Sequence, residues 1–458
     1  MGRGFSLKSR VDLTEGPIFK NLLLFALPIL LGTIVTQLYN VADSVIVGQM
    51  VGTDALAAVS AASPVMSIIN MFLIGLSAGS NVVIAQRVGA KDNRALQRAL
   101  GSISCLTLLC ALFITAAGLA ASRPLLEVLG TPEGIFQDAR LYLVAVYLGT
   151  TGNLVYQMGS GALRGMGDSM WPFVFLVFCS GLNILLDILA VQMFHLGVLG
   201  VGIATSLSQL VSGVGILFRL NRGGYGVKVT FATLRLDKEE AKQVAAIGLP
   251  AAIQNIGNAI AALCVQSSVN VFGAAFIAAN SIVTKVDDMI NIPIIALSTA
   301  LCTFVGQNMG LLRLDRIKKG INSSIAALCG LGVVMCGVLI ALRNVFPLLF
   351  TTETEVAGYA AQGLFILSFM CLFHGIDRCL VNAMRGAGKS VVPMITAQFG
   401  AFSRIPLAYF LAVKTGNCLG IFWALLIASL LRTLAIAFYY YGGGWKRAVE
   451  KFEQRAVR

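Results

Sequence analysis

Charged side chains are scarce in this chain, at 12% of its 458 residues, whereas typical soluble domains carry about 25%. Histidine is scarcer still, with two residues, and none of the ten cysteines stand in a C-x-x-C spacing. The shortage of charge excludes an ordinary soluble domain. The other two shortages leave no pattern for a metal centre or a histidine-based catalytic set. We therefore expect a protein that is not an enzyme and that carries no resident cofactor.

Hydrophobic residues make up 57% of the chain and occur in long runs such as 22–46 and 171–194. Runs of about 20 residues are long enough to cross the bilayer core as helices. The sequence therefore predicts an all-α polytopic membrane protein with twelve transmembrane helices. The expected spans are residues 20–48, 54–82, 96–120, 138–160, 171–194, 198–220, 244–270, 276–305, 321–346, 357–380, 391–413 and 419–441.

The net charge of +13 is distributed unevenly along the chain. Lysine and arginine are concentrated in alternate connections and in the tail, at residues 87–98, 219–242, 313–319 and 446–458. This is the positive-inside pattern of membrane proteins rather than a nucleic-acid-binding surface. It predicts a multi-pass protein of the inner (cytoplasmic) membrane with both termini in the cytoplasm and no nucleic-acid partner.

Two similar halves follow each other in the sequence. The segment "LRGMGDSMWP" at 163–172 returns as "MRGAGKSVVP" at 384–393, and "ALP" at 26–28 returns as "GLP" at 248–250. Six helices in each half make the two repeats parallel, an architecture known from transporters. The predicted organisation is an N-lobe at 1–220 with helices 1–6, a cytoplasmic linker at 221–243, a C-lobe at 244–441 with helices 7–12, and a cytoplasmic tail at 442–458.

The segment "GAGKS" at 386–390 resembles part of a phosphate-binding loop. That motif requires an earlier glycine, and Ala383 occupies its position. The segment also lies between two membrane helices, so we interpret it as a tight turn and expect no nucleotide partner.

Five polar residues lie within the predicted spans at a similar depth, about 10 Å below the outer surface at 1.5 Å per residue. Two pairs have i,i+4 spacing and so share a helix face, and Thr205 lies on the next helix; the pairs are Tyr39 with Asp43 and Asn183 with Asp187. Charged groups in lipid are costly and usually functional. We expect these residues to couple a cation, either H⁺ held by two carboxyls or Na⁺ bound at Asp43, Asn183, Asp187 and Thr205. The alternative is that Asp43 caps a helix break and Asp187 bonds a neighbour.

The second half does not repeat this acidic set, because the repeat offset places Arg404 at the position of Asn183 and Ala408 at that of Asp187. This half has polar residues of its own, which either line a cavity or form ion pairs. The candidates for a cavity are Gln254, Asn258, Lys285, Asp288, His374, Asp377 and Arg404. In the first span, Pro28 is a candidate hinge, the alternative being a static kink.

The segments "ALPILLGTIVTQLYNVADSVIVGQMVGTDALAAVS", "IAQRVGAKD", "GALRGMGDSMWP", "FVGQNMG" and "MRGAGKS" resemble those of the multidrug and toxic compound extrusion (MATE) transporters. The resemblance covers nearly the whole chain. It implies twelve helices in two six-helix lobes forming a V, and export driven by an H⁺ or Na⁺ gradient. The polar set of the first half resembles the N-lobe cation site of the DinF-like branch, and Pro28 resembles the bend-forming proline of that branch.

We therefore expect a secondary active antiporter that exports organic compounds, cationic or amphipathic, in exchange for H⁺ or Na⁺. One alternative is a flippase for lipid-linked saccharides, which related folds perform, and another is a membrane enzyme or sensor. The expected partners are a small-molecule substrate and the lipid bilayer, the expected oligomeric state is a monomer, and the coupling ion is the only expected cofactor.

Overall fold

A computed structural model describes residues 10–457 and is helical through all the apolar segments. The first half contains α1 (Ile18–Ile46), α2 (Thr53–Gly89), α3 (Asn93–Val128), α4 (Glu133–Gly165), α5 (Met170–Gln192) and α6 (Gly197–Arg222). The second half contains α7 (Lys238–Asn270), α8 (Gly273–Gly310), α9 (Leu314–Leu342), α10 (Thr354–Ser368), α11 (Cys371–Gly386), α12 (Val391–Ala408), α13 (Gly420–Tyr439) and α14 (Trp445–Val457). Within residues 10–457 there is no β-strand.

Each of the twelve predicted spans coincides with a helix, and the tenth is divided. Helices α10 and α11 are separated by two residues and bent by 50°. By length and apolarity, nine helices in the described part of the chain can cross a membrane, or ten with this bent pair. α4 and α12 are not among them. α4 packs against both α2 and α6, so it needs less apolar surface toward lipid. The prediction of an all-α polytopic membrane protein is confirmed.

The linker is shorter than its predicted range, and most of the predicted tail is helical. α7 begins at Lys238, so it takes the last residues of the predicted linker 221–243. The tail contains α14, which follows a kink at Gly442 and Gly443; the latter has φ 98°, a conformation that favours glycine.

The helices form two compact units, and each unit is discontinuous in sequence. One contains residues 10–13 and Leu27–Ala252, and the other contains Thr14–Ala26 and residues 253–457. The boundaries therefore cut α1 and α7 near their prolines, Pro28 and Pro250, rather than in the linker. The predicted ranges had assigned each of these helices to one lobe.

Specific contacts explain why the start of each repeat belongs to the other half's unit. Arg313 donates to the carbonyl of Thr14 at 2.8 Å, and Arg316 donates to Glu15 at 2.8 Å. The start of α7 packs against α2, where a Cβ on Gly75 would lie 2.3 Å from Ala252. These contacts explain why the first turns of α1 group with the second unit and those of α7 with the first.

The motif shared by the two repeats forms the same turn in both. Gly167 and Gly388 have φ of 87° and 81°, values that L side chains rarely adopt. A Cβ on Gly165 would lie 2.6 Å from the carbonyl oxygen of Asn81, and a Cβ on Gly386 would lie 2.6 Å from that of Cys302. The repeated spacing of these glycines thus serves a turn, as the sequence indicated, and also a close helix–helix approach that was not predicted for them.

The linker is anchored to the first unit by Asp168, which is fully buried after α4. Its Oδ2 accepts from Arg219 Nη2 at 3.0 Å and from the phenol of Tyr225 at 2.5 Å. Burial and the hydrogen bond to Asp168 raise the pKa of Tyr225. Since this carboxylate has a cation and a neutral donor, its burial is compensated.

Helices α4 and α6 pack closely because glycines line their contact. A Cβ on Gly149 would lie 2.3 Å from Oγ and 2.5 Å from Cα of Ser206. Ser206 Oγ in turn donates to the carbonyl of Ala145 at 2.7 Å. This contact fixes the face that α6 presents one residue earlier, at Thr205.

Replacing Gly149 by alanine should therefore destabilise the protein, because the added methyl meets backbone atoms that cannot move aside. Overpacking of this kind costs about 1–3 kcal/mol. The apparent Tm of the purified protein should fall by roughly 2–4 °C per kcal/mol. The control is Gly181→Ala in α5, where no atom lies within 4 Å of the new Cβ. Equal melting temperatures for the two variants would contradict this packing.

Candidate ion-binding site

Three helices of the first unit bring together the five polar residues that the sequence singled out. α1 carries Tyr39 and Asp43 one turn apart, α5 carries Asn183 and Asp187 one turn apart, and α6 carries Thr205. Asn183 and Asp187 are buried, with 2% and 0% of their surface exposed, whereas the other three are partly exposed. The site therefore has a buried wall on α5 and a more open side on α1.

The side-chain amide of Asn183 connects the three helices. One orientation of this amide satisfies its surroundings: the nitrogen donates to Tyr39 Oη at 3.0 Å and to Asp187 Oδ2 at 3.0 Å. In the same orientation, the amide oxygen accepts from the backbone nitrogen of Thr205 at 3.2 Å. Asn183 thus sets the distances between α1, α5 and α6 at this depth.

The carboxyl groups of Asp43 and Asp187 lie close enough for a hydrogen bond between them. Two carboxylates have only acceptor oxygens, so such a bond requires one proton on the pair. Among the side chains that the structure describes, no basic group forms an ion pair with either carboxyl. Contact between the two carboxyls is therefore favoured when the pair carries a proton.

One oxygen of each carboxyl receives no hydrogen bond in the described part of the chain. These atoms, Oδ1 of Asp43 and Oδ1 of Asp187, are both buried. Carboxylate, amide, phenol and hydroxyl oxygens are also hard ligands of the kind that alkali and alkaline-earth cations take. The arrangement can thus hold a proton, and its oxygens fit a small hard cation.

Tyr142 on α4 belongs to this site and was missed from the sequence. Only 9% of its surface is exposed, and it interacts electrostatically with Tyr39, Asp43 and Asp187. It lies in the fourth predicted span, which was not predicted to contribute to the polar set. Its place in the site depends on how α4 packs against α6, so only the tertiary structure reveals it.

Four of the candidate cavity residues of the second unit have different surroundings. Gln254 is buried and accepts from Arg385 Nη2 at 2.9 Å, and Oδ1 of Asn258 is buried without a donor among residues 10–457. Lys285 and Asp288 are exposed, with Lys285 5.9 Å from the ring centre of Phe350. No hydrogen bond or ion pair joins these four side chains to one another in the described part of the chain.

The other three candidates lie close together. Asp377 forms a bidentate ion pair with Arg432, with Nε to Oδ1 at 3.0 Å and a second contact from Nη2 to Oδ2. His374 and Arg404 both interact electrostatically with Arg432. Of the two interpretations made from the sequence, ion pairing therefore describes Asp377, whereas Arg404 has no ion pair among the described residues.

Pro28 lies inside α1, which continues through it. The ring removes the hydrogen bond to the carbonyl four residues earlier. The division between the two compact units crosses α1 between Ala26 and Leu27, directly before this proline.

Two parallel helical repeats with a polar site inside one of them are the features of a class of membrane transporter. Comparison with known families agrees with this class. The MatE family model matches the chain twice, at residues 28–189 and 250–410. The two matches begin 222 residues apart and end 221 residues apart, which is the internal repeat offset found in the sequence.

The chain belongs to the MatE family, the multidrug and toxic compound extrusion transporters. Membership of the DinF-like branch stays a prediction.

Relatives of similar length share this family. The chain is 28% identical to YoeA of Bacillus subtilis, which is named as a probable multidrug resistance protein, with 94% of this chain and 95% of that one covered. It is 26% identical to a protein of Shewanella oneidensis named FAD transporter, with 95% and 96% covered. A solved structure titled as a MATE protein in the bent conformation is 23% identical, covers 98% and 99%, and has a TM-score of 0.88. These relatives are named as transporters or resistance proteins rather than as enzymes.

Replacing Asn183 by alanine should destabilise the first unit, because Asp187 Oδ2 and Tyr39 Oη then lose their common donor in a buried place. Leaving a buried polar group unsatisfied costs about 1–3 kcal/mol. The measurement is the apparent Tm of the purified protein. The control, Asn40→Ala, removes an exposed amide from α1 and should leave the Tm unchanged. If both variants melted at the same temperature, the bridging role of Asn183 would be refuted.

Proposed function

We propose that this protein is a secondary active antiporter that exports an organic compound in exchange for H⁺ bound at Asp43 and Asp187. The close approach of these two carboxyls carries the proposal, because a hydrogen bond between them requires a proton and neither forms an ion pair with a described basic side chain. Deprotonation of the pair leaves two like charges in contact, which a low-dielectric interior strongly disfavours. Losing the proton therefore favours a different arrangement of α1 and α5.

Such a rearrangement provides coupling if the two arrangements bind substrate with different affinity. A ligand shifts a conformational equilibrium only by its differential affinity for the two states. We propose that a proton entering from outside stabilises the arrangement with Asp43 and Asp187 in contact, and that this arrangement releases the substrate. Substrate binding from the cytoplasm then favours release of the proton inward.

Na⁺ is the second candidate for the coupling ion. The spare Oδ1 atoms of Asp43 and Asp187 support it, with oxygens of Tyr39, Asn183 and Thr205 nearby. In that case, the pair gives up its proton and the cation provides the positive charge.

The remaining parts of the proposal concern the location, oligomeric state and partners of the protein. We propose that the protein resides in the inner membrane as a monomer with both termini in the cytoplasm, consistent with its distribution of lysine and arginine. Its partners are the lipid bilayer and a small molecule, without a nucleotide, a nucleic acid or a cofactor other than the coupling ion. The relatives' names, multidrug export for MepA of Staphylococcus aureus and FAD transport for the Shewanella protein, support export of organic compounds but differ in substrate.

Replacing either carboxyl of the pair, as Asp43→Asn or Asp187→Asn, should abolish gradient-driven transport. An amide fills the space but cannot exchange a proton with either side. The measurement is efflux from proteoliposomes, with a pH gradient and a Na⁺ gradient imposed separately. We expect wild-type transport to follow the pH gradient and the variants to fall to the protein-free background.

The matched control is Asp138→Asn, which removes an exposed carboxyl from α4. It should transport at the wild-type rate. Undiminished transport by both Asp43→Asn and Asp187→Asn would refute the proposed coupling site, and wild-type transport driven by Na⁺ alone would select the second ion.

We also propose that Pro28 is the hinge at which α1 bends. Pro28→Ala restores the missing hydrogen bond and should stiffen α1, so transport should slow while the ion site stays intact. The measurements are the rate of gradient-driven transport and proton binding to the purified protein. A normal transport rate in Pro28→Ala would exclude the hinge. Pro64→Ala in α2 is the control, since it alters a proline in a helix that does not carry the site.

A further inference from the structure

Basic side chains cluster inside the second unit at the point where α11, α12 and α13 meet. The cluster consists of His374 and Arg378 on α11, Arg404 on α12 and Arg432 on α13. Their charges act on one another, since Arg378 and Arg404 each interact electrostatically with Arg432. We call these four residues the basic cluster.

Only one guanidinium of the basic cluster is neutralised by an ion pair. Asp377 takes both hydrogen bonds of Arg432, and the two side chains are 2% and 5% exposed. Among the side chains that the structure describes, Arg378 and Arg404 form no side-chain hydrogen bond and no ion pair, and the Nε atom of each is buried without an acceptor. The other nearby acid is Asp287, whose Oδ2 accepts from Asn291 Nδ2 at 3.1 Å.

The charges of this region do not balance. Three guanidiniums, which stay protonated in proteins, face two carboxyls, and Asp287 attracts Arg404 and Arg378 without bonding either. Like charges held together in a low-dielectric interior repel strongly. The region therefore has excess positive charge and two sets of unused hydrogen-bond donors.

Arg378 and Arg404 are also accessible. Both side chains are partly exposed. A guanidinium that faces hydrocarbon is costly, so residues of this kind face a protein interior or a water-filled space. The exposed part of each side chain is therefore expected to border a water-filled space rather than lipid.

The internal repeat shows that these charges are particular to the second half. At the repeat offset of 221 residues, Arg404 replaces Asn183 of the ion-binding site, and Arg378 replaces Gln157. Arg432 likewise replaces Val211. A scaffold requirement would act on both repeats, so the contrast indicates that the two units handle opposite charges.

We propose that Arg378 and Arg404 bind an oxyanion group of the transported compound, so that the substrate is an organic phosphate or carboxylate. The guanidinium fork matches both groups through paired, charge-assisted hydrogen bonds. The inference rests on the proposed export function and replaces the expectation of a cationic substrate. The Arg432–Asp377 pair positions α13 beside α11 and leaves the two uncommitted guanidiniums for the ligand.

The test is equilibrium binding to the purified protein in nanodiscs, followed by fluorescence. The probes are 4-methylumbelliferyl phosphate, 7-methoxycoumarin-4-acetate and the cation ethidium. Wild type should bind at least one anion more tightly than ethidium, and the anion that binds identifies phosphate or carboxylate. Arg378→Gln and Arg404→Gln should each weaken anion binding by about tenfold or more, as expected when one partner of a charge-assisted pair is removed.

Two further variants separate binding from folding and from bulk charge. Arg343→Gln removes the same charge from the end of α9, where Arg343 lies over the ring of Phe365, and should bind anions like wild type. Arg404→Lys keeps the charge but not the fork, and should retain more anion affinity than Arg404→Gln. Equal anion binding by wild type, Arg378→Gln and Arg404→Gln overturns the inference, as does tighter binding of ethidium than of either anion.

Failure of this inference is distinguishable from failure of the proposed function. Proton-driven export of ethidium that is lost in Asp43→Asn but unchanged in Arg378→Gln supports the antiporter and refutes the anion site. Absence of gradient-driven transport of all three probes by wild type, despite anion binding that depends on Arg404, supports the anion site and refutes the antiporter.

Discussion

The contact between the carboxyls of Asp43 and Asp187 is the interaction on which the functional account depends. Inside a membrane, two carboxylates at hydrogen-bonding distance are tolerated only with a proton between them. Asn183 and Tyr39 surround the pair with neutral donors and acceptors rather than with a cation. Charge in the site is therefore controlled by the ion that occupies it, which is the property that a coupling site needs.

Close packing of the helices around this pair fixes the positions of its side chains. Glycine contacts bring α4 and α6 together beneath Thr205, and Asp168 ties the linker to the same unit. α1 differs, because its first turns belong to the other compact unit and its remainder carries Tyr39 and Asp43. Because α1 has a proline next to the boundary between the units, it can bend when the charge of the site changes. The site residues of α5 are more deeply buried than those of α1.

Much of this could be predicted from the sequence, because membrane helices are specified by long local signals. Apolar runs, the distribution of arginine and the repeat of "RGxGxS" gave the helix count, and the i,i+4 pairs Tyr39–Asp43 and Asn183–Asp187 identified the polar faces that meet. Tyr142 was missed, and the exchange of the first turns of α1 and α7 between units was not foreseen. Both depend on side chains distant in sequence, such as Arg313 with Thr14, for which no periodic pattern exists. The break between α10 and α11 could not be predicted, because its two residues, Phe369 and Met370, are neither proline nor glycine.

Infrared difference spectroscopy of the purified protein tests the central claim most directly, since the carbonyl stretch of a protonated carboxyl is distinct from that of a carboxylate. Wild type at neutral pH should show a protonated-carboxyl band that disappears when a transported compound binds. The band should be missing from Asp43→Asn and Asp187→Asn and present in Asp138→Asn. A wild-type spectrum whose protonated-carboxyl band is identical in Asp187→Asn, or does not respond to a transported compound, would contradict the account.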